Sequence, residues 1–475
     1  MGEKVAWEPR HGWSFATGPG VARSFAAFLR ERGWSEATNI VFDHAEQSLP
    51  VTVLWRTPRN SRGSWQLAQQ NSQLLNHFAG SEWLTRKDYL LRTIRAAREK
   101  SKRPLNFMPL SFLLPRERNS LLQRLRNGAK QRNAEPAFIA KPAALARGRK
   151  ISLIRTANDI ERAVSLVRED DQEDKIQSKK RRHRVLSDDS PSRSMVVQKY
   201  VSRPLLVGGH KVDLRLYVLI SSVAPLRVFL HKRGICRFSL RKYEIESKSS
   251  AEHDLLMHLT NASLHRKTEE FAADKTLIGT GCKWTLERFW NYVREHRGAE
   301  AETQMKLEIQ HLVAQTVLAA LPRLAPADNA FELFGFDVMF SEDSEAHLFE
   351  VNCSPALGCS ESVDRQVKPK LVHDLLSTVL NQADHEHVRK HATKETQELV
   401  FSPNEFEPIL PLATVKARAA AESFAQHVQK HRVRRATGGF SLPHLATTSF
   451  LRTEICRADA LFRNSAKKLQ STNSD

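Results

Sequence analysis

The chain has 475 residues, 41% of them hydrophobic, and 73 Lys and Arg against 53 Asp and Glu give a formal net charge of +20. At about 100–200 residues per domain this suggests two to four domains, and the positive excess points to an acidic partner: nucleic acid, an anionic membrane or an acidic protein surface. No apolar run approaches the ~20 residues of a membrane span, and the five cysteines, none in a Cys-x-x-Cys pair, signal neither a zinc site nor a disulfide framework.

The wide cysteine spacing suits a reducing compartment. The polar start MGEKVAWEPRHGW carries no signal-peptide pattern, and Ala6 stands where a myristoylation motif wants Ser or Thr. A soluble intracellular protein is expected.

Along the chain, residues 21–32 read as helical and Pro50–Trp55 as a strand. Thr85–Arg98 reads as a helix whose TRKD start resembles a capping sequence. Apolar Phe107–Leu114 ends at Pro115, and Ala137–Pro142 reads as a strand running into a loop. Residues 170–194, rich in opposite charges, Ser and Pro, read as a disordered insertion. Its KKRRHR run (Lys179–Arg184) is a solvated charge run first, and a nuclear address or polyanion contact second. Order returns with strands at Met195–Tyr200, Asp213–Ser221 and Leu226–His231, the last two joined by a turn at Ala224-Pro225. Glu302–Leu321 has helical spacing, and Glu332–Phe340 with His347–Val351 form a hairpin around SEDSEA. Ser402–Pro411 reads as a Pro-broken linker, and 414–435 as a basic, Ala-rich helix. Strands with mostly antiparallel neighbours and helices between the groups make an α+β pattern, without the strand–helix alternation of a doubly wound fold.

The hairpin carries the chemistry. Glu350 and Asn352 are two apart in FEVNC and share a strand face, and Asp337 is the one charge in an apolar strand after Glu332. A lone carboxylate in a buried strand is costly unless paired or metal-bound. Two carboxylates and an amide oxygen converging from two strands are the hard-oxygen set that suits Mg²⁺; Arg or Lys neutralisation is the alternative. Basic residues lie within or beside the strands: Lys141 ends FIAK, Lys199 lies in VVQKYV, and Lys211, Asp213 and Arg215 alternate on one face of HKVDLRLYV. Arg237 follows in GICRFSL. Singly, such residues are snorkelling surface groups; together with an acidic corner they suit phosphoryl transfer, which needs cations placed around phosphates. No GxxxxGK[ST] loop is present, so a P-loop is excluded. LARGRKI (Leu145–Ile151) offers a single Gly in a basic loop, and HLTN (His258–Asn261) hydroxyl and amide donors.

The ordered set KP…RGRKI, VVQKYV, HKVDLRLYVL, RFS, HLTN, FELFGFDVMF and EVNCSPAL resembles the tubulin tyrosine ligase-like family over about Leu75 to Leu380. Asn76–Asp88 (NHFAGSEWLTRKD) and Asn106–Pro115 (NFMPLSFLLP) look like its glutamate-adding branch. The resemblance implies an ATP-grasp fold: a small N-terminal α/β domain (1–85), a central domain (86–197) holding the insertion, a C-terminal ATP-grasp domain (198–385) and a basic, partly helical or disordered tail (386–475). It implies ATP contacts from Lys141, Arg147, Gly148, Gln198, Lys199, Tyr200, Val201, Lys211, Asp213, Thr260 and Asn261. Asp337, Glu350 and Asn352 would hold Mg²⁺, Arg237 and Lys368 the carboxylates of free L-glutamate, and Lys87, Arg215 and Glu350 the reaction centre. The implied reaction adds glutamate to glutamate side chains of tubulin tails through an acyl phosphate. The basic charge would attract those acidic tails.

One departure stands in the loop, where Lys150 replaces the family's second Gly; if that position needs positive φ, Lys strains it. His265 also stands where the family tends to carry Asn or Gln. A tubulin glycylase and a catalytically weak microtubule-binding pseudoenzyme are the alternatives. Neither a membrane nor nucleic acid is expected as partner, because the aromatic–basic stacking motifs of RNA readers are missing. The expected location is cytoplasm and cytoskeleton, extending to cilium, flagellum or basal body.

Overall fold

The computed structural model describes residues 14–17, 26, 30, 35–36, 53–55, 74–102, 104–128, 137–143, 148–165, 194–244, 256–260, 282–325, 327, 329–382 and 404–410. The expected insertion, the 414–435 helix and His265 fall outside them, as do Arg147 and Asn261.

Strands sort into three sheets, an α+β arrangement as expected. The first is parallel, in the order β2 (Ser35–Glu36), β1 (Ser14–Thr17), β3 (Val53–Trp55), β4 (Leu74–Leu75). The second is antiparallel, in the order β5 (Ser111–Leu114), β8 (Met195–Lys199), β6 (Phe138–Pro142), β7 (Ser152–Ile154). The third centres on the 14-residue β10 (His210–Val223). It is flanked by β9 (Leu206–Val207), β11 (Leu226–His231), β12 (Ile235–Lys242) and β14 (Glu332–Phe340). Beyond them lie β13 (Lys283–Thr285), β15 (Ala346–Cys353) and β16 (Phe406–Leu410). The boundary expected at 197/198 falls inside β8, an interior strand of the second sheet between β5 and β6.

Helices α1 (Glu82–Thr85) and α2 (Lys87–Ser101) replace the single helix expected over Thr85–Arg98, because Arg86 takes an extended conformation, φ −81° and ψ 128°. Arg86 then pairs with Asp88, an acid in the first turn of α2 where the helix dipole favours one. Helix α3 (Arg118–Gly128) covers the second sheet with buried Leu121 and Leu125. Helices α4 (Leu286–Arg297) and α5 (Ala299–Ala320) cover one face of the third sheet, and α6 (Ser362–Gln382) the other.

Strand alternation decides what faces where. On β10, Val212, Leu214, Leu216, Val218 and Ile220 point into the core with α4 and α5. The odd positions divide the opposite face: Tyr217 and Leu219 pack against α6, whereas Asp213 and Arg215 remain polar. β14 repeats the scheme, with Phe334, Phe336, Val338 and Phe340 in the first core and Leu333 in the second. Further along the Leu333 face of β14, Gly335, Asp337 and Met339 follow, and the last two reach the cleft.

Ser402–Pro411 does not form the expected linker. Its Phe406–Leu410 is an edge strand on β11, with Phe406 and Leu410 buried. Proline suits an edge position because it has no N–H to give to a next strand, and Pro408 sits there opposite Phe229.

Candidate active site

The second and third sheets face each other across a cleft whose empty volume, open mouth included, is about 800 Å³. Ile139 and Lys141 of β6 and Lys199 of β8 line one wall; Lys211, Asp213, Asp337, Met339, Phe349 and Glu350 line the other.

Cross-strand register builds the acidic corner. Asp337 lies opposite Glu350 on β15 and opposite Arg215 on β10, and Gly335 lies opposite Asn352. The register shifts between Asp337 and Val338 so that Phe349 has no partner. This bulge turns Phe349 and Glu350 together toward the cleft, where strict alternation would send one away. Asn352 Nδ2 is 3.2 Å from both Asp337 Oδ2 and Glu350 Oε1, so the three groups converge.

Cations surround that corner. Arg215 grips Asp337 with two bonds, 2.6 Å from Nε and 3.0 Å from a terminal nitrogen. Arg237 reaches the same Asp337 at 2.9 Å and holds Asp213 at 2.7 and 2.6 Å. Thr260 donates to Asp213 at 2.6 Å. Burial alone would raise the Asp337 carboxyl, but Arg215 and Arg237 hold it well below the usual carboxylate range. Lys87, placed at the start of α2 by the break at Arg86, meets Glu350 at 3.1 Å.

Lys141 lies 4.6 Å from the centre of the Phe349 ring and donates to Gln198 at 2.9 Å. Lys211 donates to Tyr200 Oη at 3.1 Å, and that oxygen lies 2.7 Å from His258 Nδ1. Burial lowers the pKa of Lys141 to about 8 and of Lys211 to about 7. Both lysines are buried, and among the described residues neither forms a salt bridge with a carboxylate, so an anion bound beside them would favour their charged forms.

Comparison with known proteins places this geometry. The description "Tubulin-tyrosine ligase family" matches residues 66–387, more than half of the chain. The chain belongs to that family. It is 32% identical over 361 residues to "Probable tubulin polyglutamylase TTLL2" of Mus musculus, covering 75% of this chain and 59% of that protein. For TTLL2 of Homo sapiens the figures are 33% over 370 residues, 76% and 54%. For "Probable tubulin polyglutamylase TTLL9" of Rattus norvegicus they are 29% over 325 residues, 64% and 68%. The chain therefore spans little more than half the length of the TTLL2 relatives.

Within this family member, the cleft brings together Lys87, Lys141, Gly148, Lys199, Tyr200, Val201, Lys211, Asp213, Arg237, Thr260, Asp337 and Glu350 among the residues singled out in the sequence. Gln198 and Arg215 join through their bonds to Lys141 and Asp337, and Asn352 through its bonds to Asp337 and Glu350. Lys368 stands apart: it donates to the Gly358 carbonyl at 2.6 Å and pairs with Asp364 at 2.9 Å. Lys150 has φ 54°, in the left-handed region that strains a side chain, and Gly148, two residues before it, has φ 72°.

Three contributors escaped the sequence reading. Phe349 is one apolar residue among several in its strand, and only the bulge brings it to Lys141. His258, in HLTN, meets Tyr200 through a long-range contact no local pattern announces. Gly335 leaves room for Arg215: a Cβ there would sit 3.1 Å from its Cδ and 3.1 Å from Pro355 Cβ. An isolated strand glycine was the available signal.

A second cluster underlies the hairpin's end. His77 Nδ1 lies 2.9 Å from Glu332 Oε1, the Phe78 N–H donates to Glu332 Oε2 at 2.9 Å, and Cys353 Sγ donates to Glu332 Oε1 at 3.1 Å. Their ligand atoms lie close enough to hold a metal ion, but both carboxylate oxygens already accept hydrogen bonds from these donors. The cluster ties the segment after β4 to the residue following Asn352.

Proposed function

We propose that this protein is an ATP-dependent ligase that adds L-glutamate to glutamate side chains of tubulin C-terminal tails, built as an ATP-grasp enzyme whose central domain takes in the whole of β8 and whose C-terminal domain takes in β16. The observation that supports it best is the cleft itself: buried Lys141 and Lys211 beside a corner where Asp337, Glu350 and Asn352 converge. The TTLL relatives, named for tubulin glutamylation, support the substrate class.

In this reading ATP lies in the cleft, its adenine against the Gln198–Val201 edge and its phosphates beside Lys141, Lys211, Gly148 and Thr260; Arg147 and Asn261, outside the described residues, are assigned to the nucleotide by the family resemblance. The three oxygen donors of the acidic corner fit Mg²⁺, once the Asn352 amide turns its oxygen inward. Mg²⁺ bound there would polarise the phosphate oxygens and offset their charge. An acceptor carboxylate oxygen attacks the γ-phosphorus and ADP leaves, giving an acyl phosphate. The amine of free glutamate then attacks the carbonyl carbon and expels phosphate, closing an amide bond. Activation is needed because a carboxylate is a poor electrophile. Arg215 and Lys141 stabilise the charge on the transferred group, and Lys87 steers Glu350 and the reacting carboxylate. Arg237 and Lys368 receive the donor's carboxylates, and for Arg237 this means exchanging part of its bond to Asp213 or Asp337.

The protein would act on the cytoskeleton, including the microtubules of cilia and basal bodies. A second reading, a weak ligase that mainly binds microtubules, is favoured by one feature: the lysine held at φ 54° in the loop over the phosphates. Incubation with microtubules, Mg-ATP and labelled glutamate or glycine decides. Glutamate transfer that Glu350→Gln abolishes supports the ligase; glycine transfer in its place makes it a glycylase. Microtubule pelleting with no label transfer supports the second reading.

A further inference from the structure

The acidic corner is braced from behind. Successive strand residues point to opposite faces, so the turn of β15 that carries Asn352 toward Asp337 and Glu350 sends Cys353 back to Glu332 and His77. Glu332 and His77 are 0% and 2% exposed. The chain after β4 is fixed beside the start of β14: the Leu75 N–H donates to the Asn329 carbonyl and the Phe331 N–H to the Leu75 carbonyl, each at 2.9 Å. His77 is thereby held at one place relative to the end of β15.

Its two ring nitrogens face different partners. The Glu332 carboxylate accepts, so Nδ1, 2.9 Å away, donates to it. Nε2 lies on the other side of the ring, 3.4 Å from Ser354 Oγ. Ser354 has φ 48°, a left-handed conformation that costs any residue with a Cβ and persists where the surroundings impose it. Through this turn Pro355 comes back over β14 at Gly335, where its Cβ stands 3.1 Å from the position a Cβ would take. Gly335 is the cross-strand partner of Asn352. One imidazole therefore spans from a buried carboxylate to the strained residue that ends the strand of Glu350 and Asn352.

We infer that His77 is a positioning residue for the acidic corner: by holding Ser354 in its left-handed turn it keeps Asn352 converged on Asp337 and Glu350, and so sets how tightly a divalent cation is held with the nucleotide. The inference rests on the proposed reading of that corner as a Mg²⁺ site. A histidine that only stabilised the fold would act through Glu332, and its reach to Ser354 would be without consequence.

Two half-replacements separate these roles. Asparagine at position 77 can donate to Glu332 from the place of Nδ1 but stops short of Ser354; glutamine extends to the place of Nε2. Calorimetry of a non-hydrolysable ATP analogue, with Mg²⁺ and again in EDTA, reads the gain in affinity that the metal supplies. His77→Asn should cut that gain about tenfold, the scale of losing a partner that orients a metal ligand, while its affinity in EDTA stays close to wild type. His77→Gln should keep more of the gain than His77→Asn. Ser354→Ala leaves the His77–Glu332 pair intact, serves should His77→Asn fail to fold, and should lose as much. The double variant should lose no more than either single one, because both cut the same contact. A gain left unchanged by either His77→Asn or Ser354→Ala, or an affinity in EDTA that falls in step with it, overturns the inference and leaves the ligase reading standing. A wild-type chain that binds the analogue equally with and without Mg²⁺ loses the metal corner and the inference together, and one that binds it in neither buffer fails as a ligase altogether.

Discussion

Lys141 and Lys211 carry the most direct residue-level consequence. Burial favours their neutral forms, bringing them to about 8 and about 7. A bound triphosphate favours the charged forms, so nucleotide binding takes up protons wherever the free lysines are partly neutral. The sign follows: affinity for ATP is highest below pH 7 and declines as pH rises through 7 and then 8. Calorimetry in buffers of different ionisation enthalpy reads the proton uptake, and Lys211→Gln should remove the lower-pH part of it. Gly335 gives a second test. A valine there presses on the Arg215 side chain and Pro355, so Gly335→Val should cost about 1–3 kcal/mol of stability by thermal melting. It should also lower turnover at least tenfold, as Arg215 leaves Asp337.

At the scale of elements, the hairpin of β14 and β15 was legible because its signals are local: an apolar run broken by one Asp, and Glu and Asn two apart. Pairing of Asp337 with Glu350 follows once the hairpin is drawn. The bulge at Phe349 was not legible, since one unpaired residue leaves the hydrophobic pattern unchanged and depends on contacts with β6. The break at Arg86 was hidden for a similar reason: TRKD reads as a good helix start, and only the packing around Glu350 fixes where Lys87 must point. The edge strand β16 was missed because Pro408 argues against a strand unless the edge position is known. The hairpin also yields a stability prediction. Asp337 is the shared partner of Arg215 and Arg237, so Asp337→Asn leaves two buried guanidinium groups undercompensated. A loss of about 3–5 kcal/mol is expected in denaturant unfolding. Glu350→Gln, whose side chain is 22% exposed and ion-pairs with Lys87 alone among the described residues, should cost about 1 kcal/mol or less.

For the whole molecule, the net charge of +20 opposes the glutamate-rich tails proposed as acceptor. Attraction of this kind is screened over about 10 Å at 0.1 M salt. Co-sedimentation with microtubules should therefore weaken steeply between low and physiological salt, and removal of the acidic tails by protease should abolish most of that dependence. The charge alone left nucleic acid, membrane and acidic protein open; membership of the tubulin-tyrosine ligase family is what narrows the choice. Everything in the proposed reaction turns on whether the acceptor carboxylate is phosphorylated, and isotope transfer reads this directly. A tubulin-tail peptide with ¹⁸O in its side-chain carboxylates, incubated with the protein, Mg-ATP and glutamate, should release phosphate carrying one ¹⁸O per amide bond formed. Unlabelled phosphate accompanying amide formation would contradict the acyl-phosphate route.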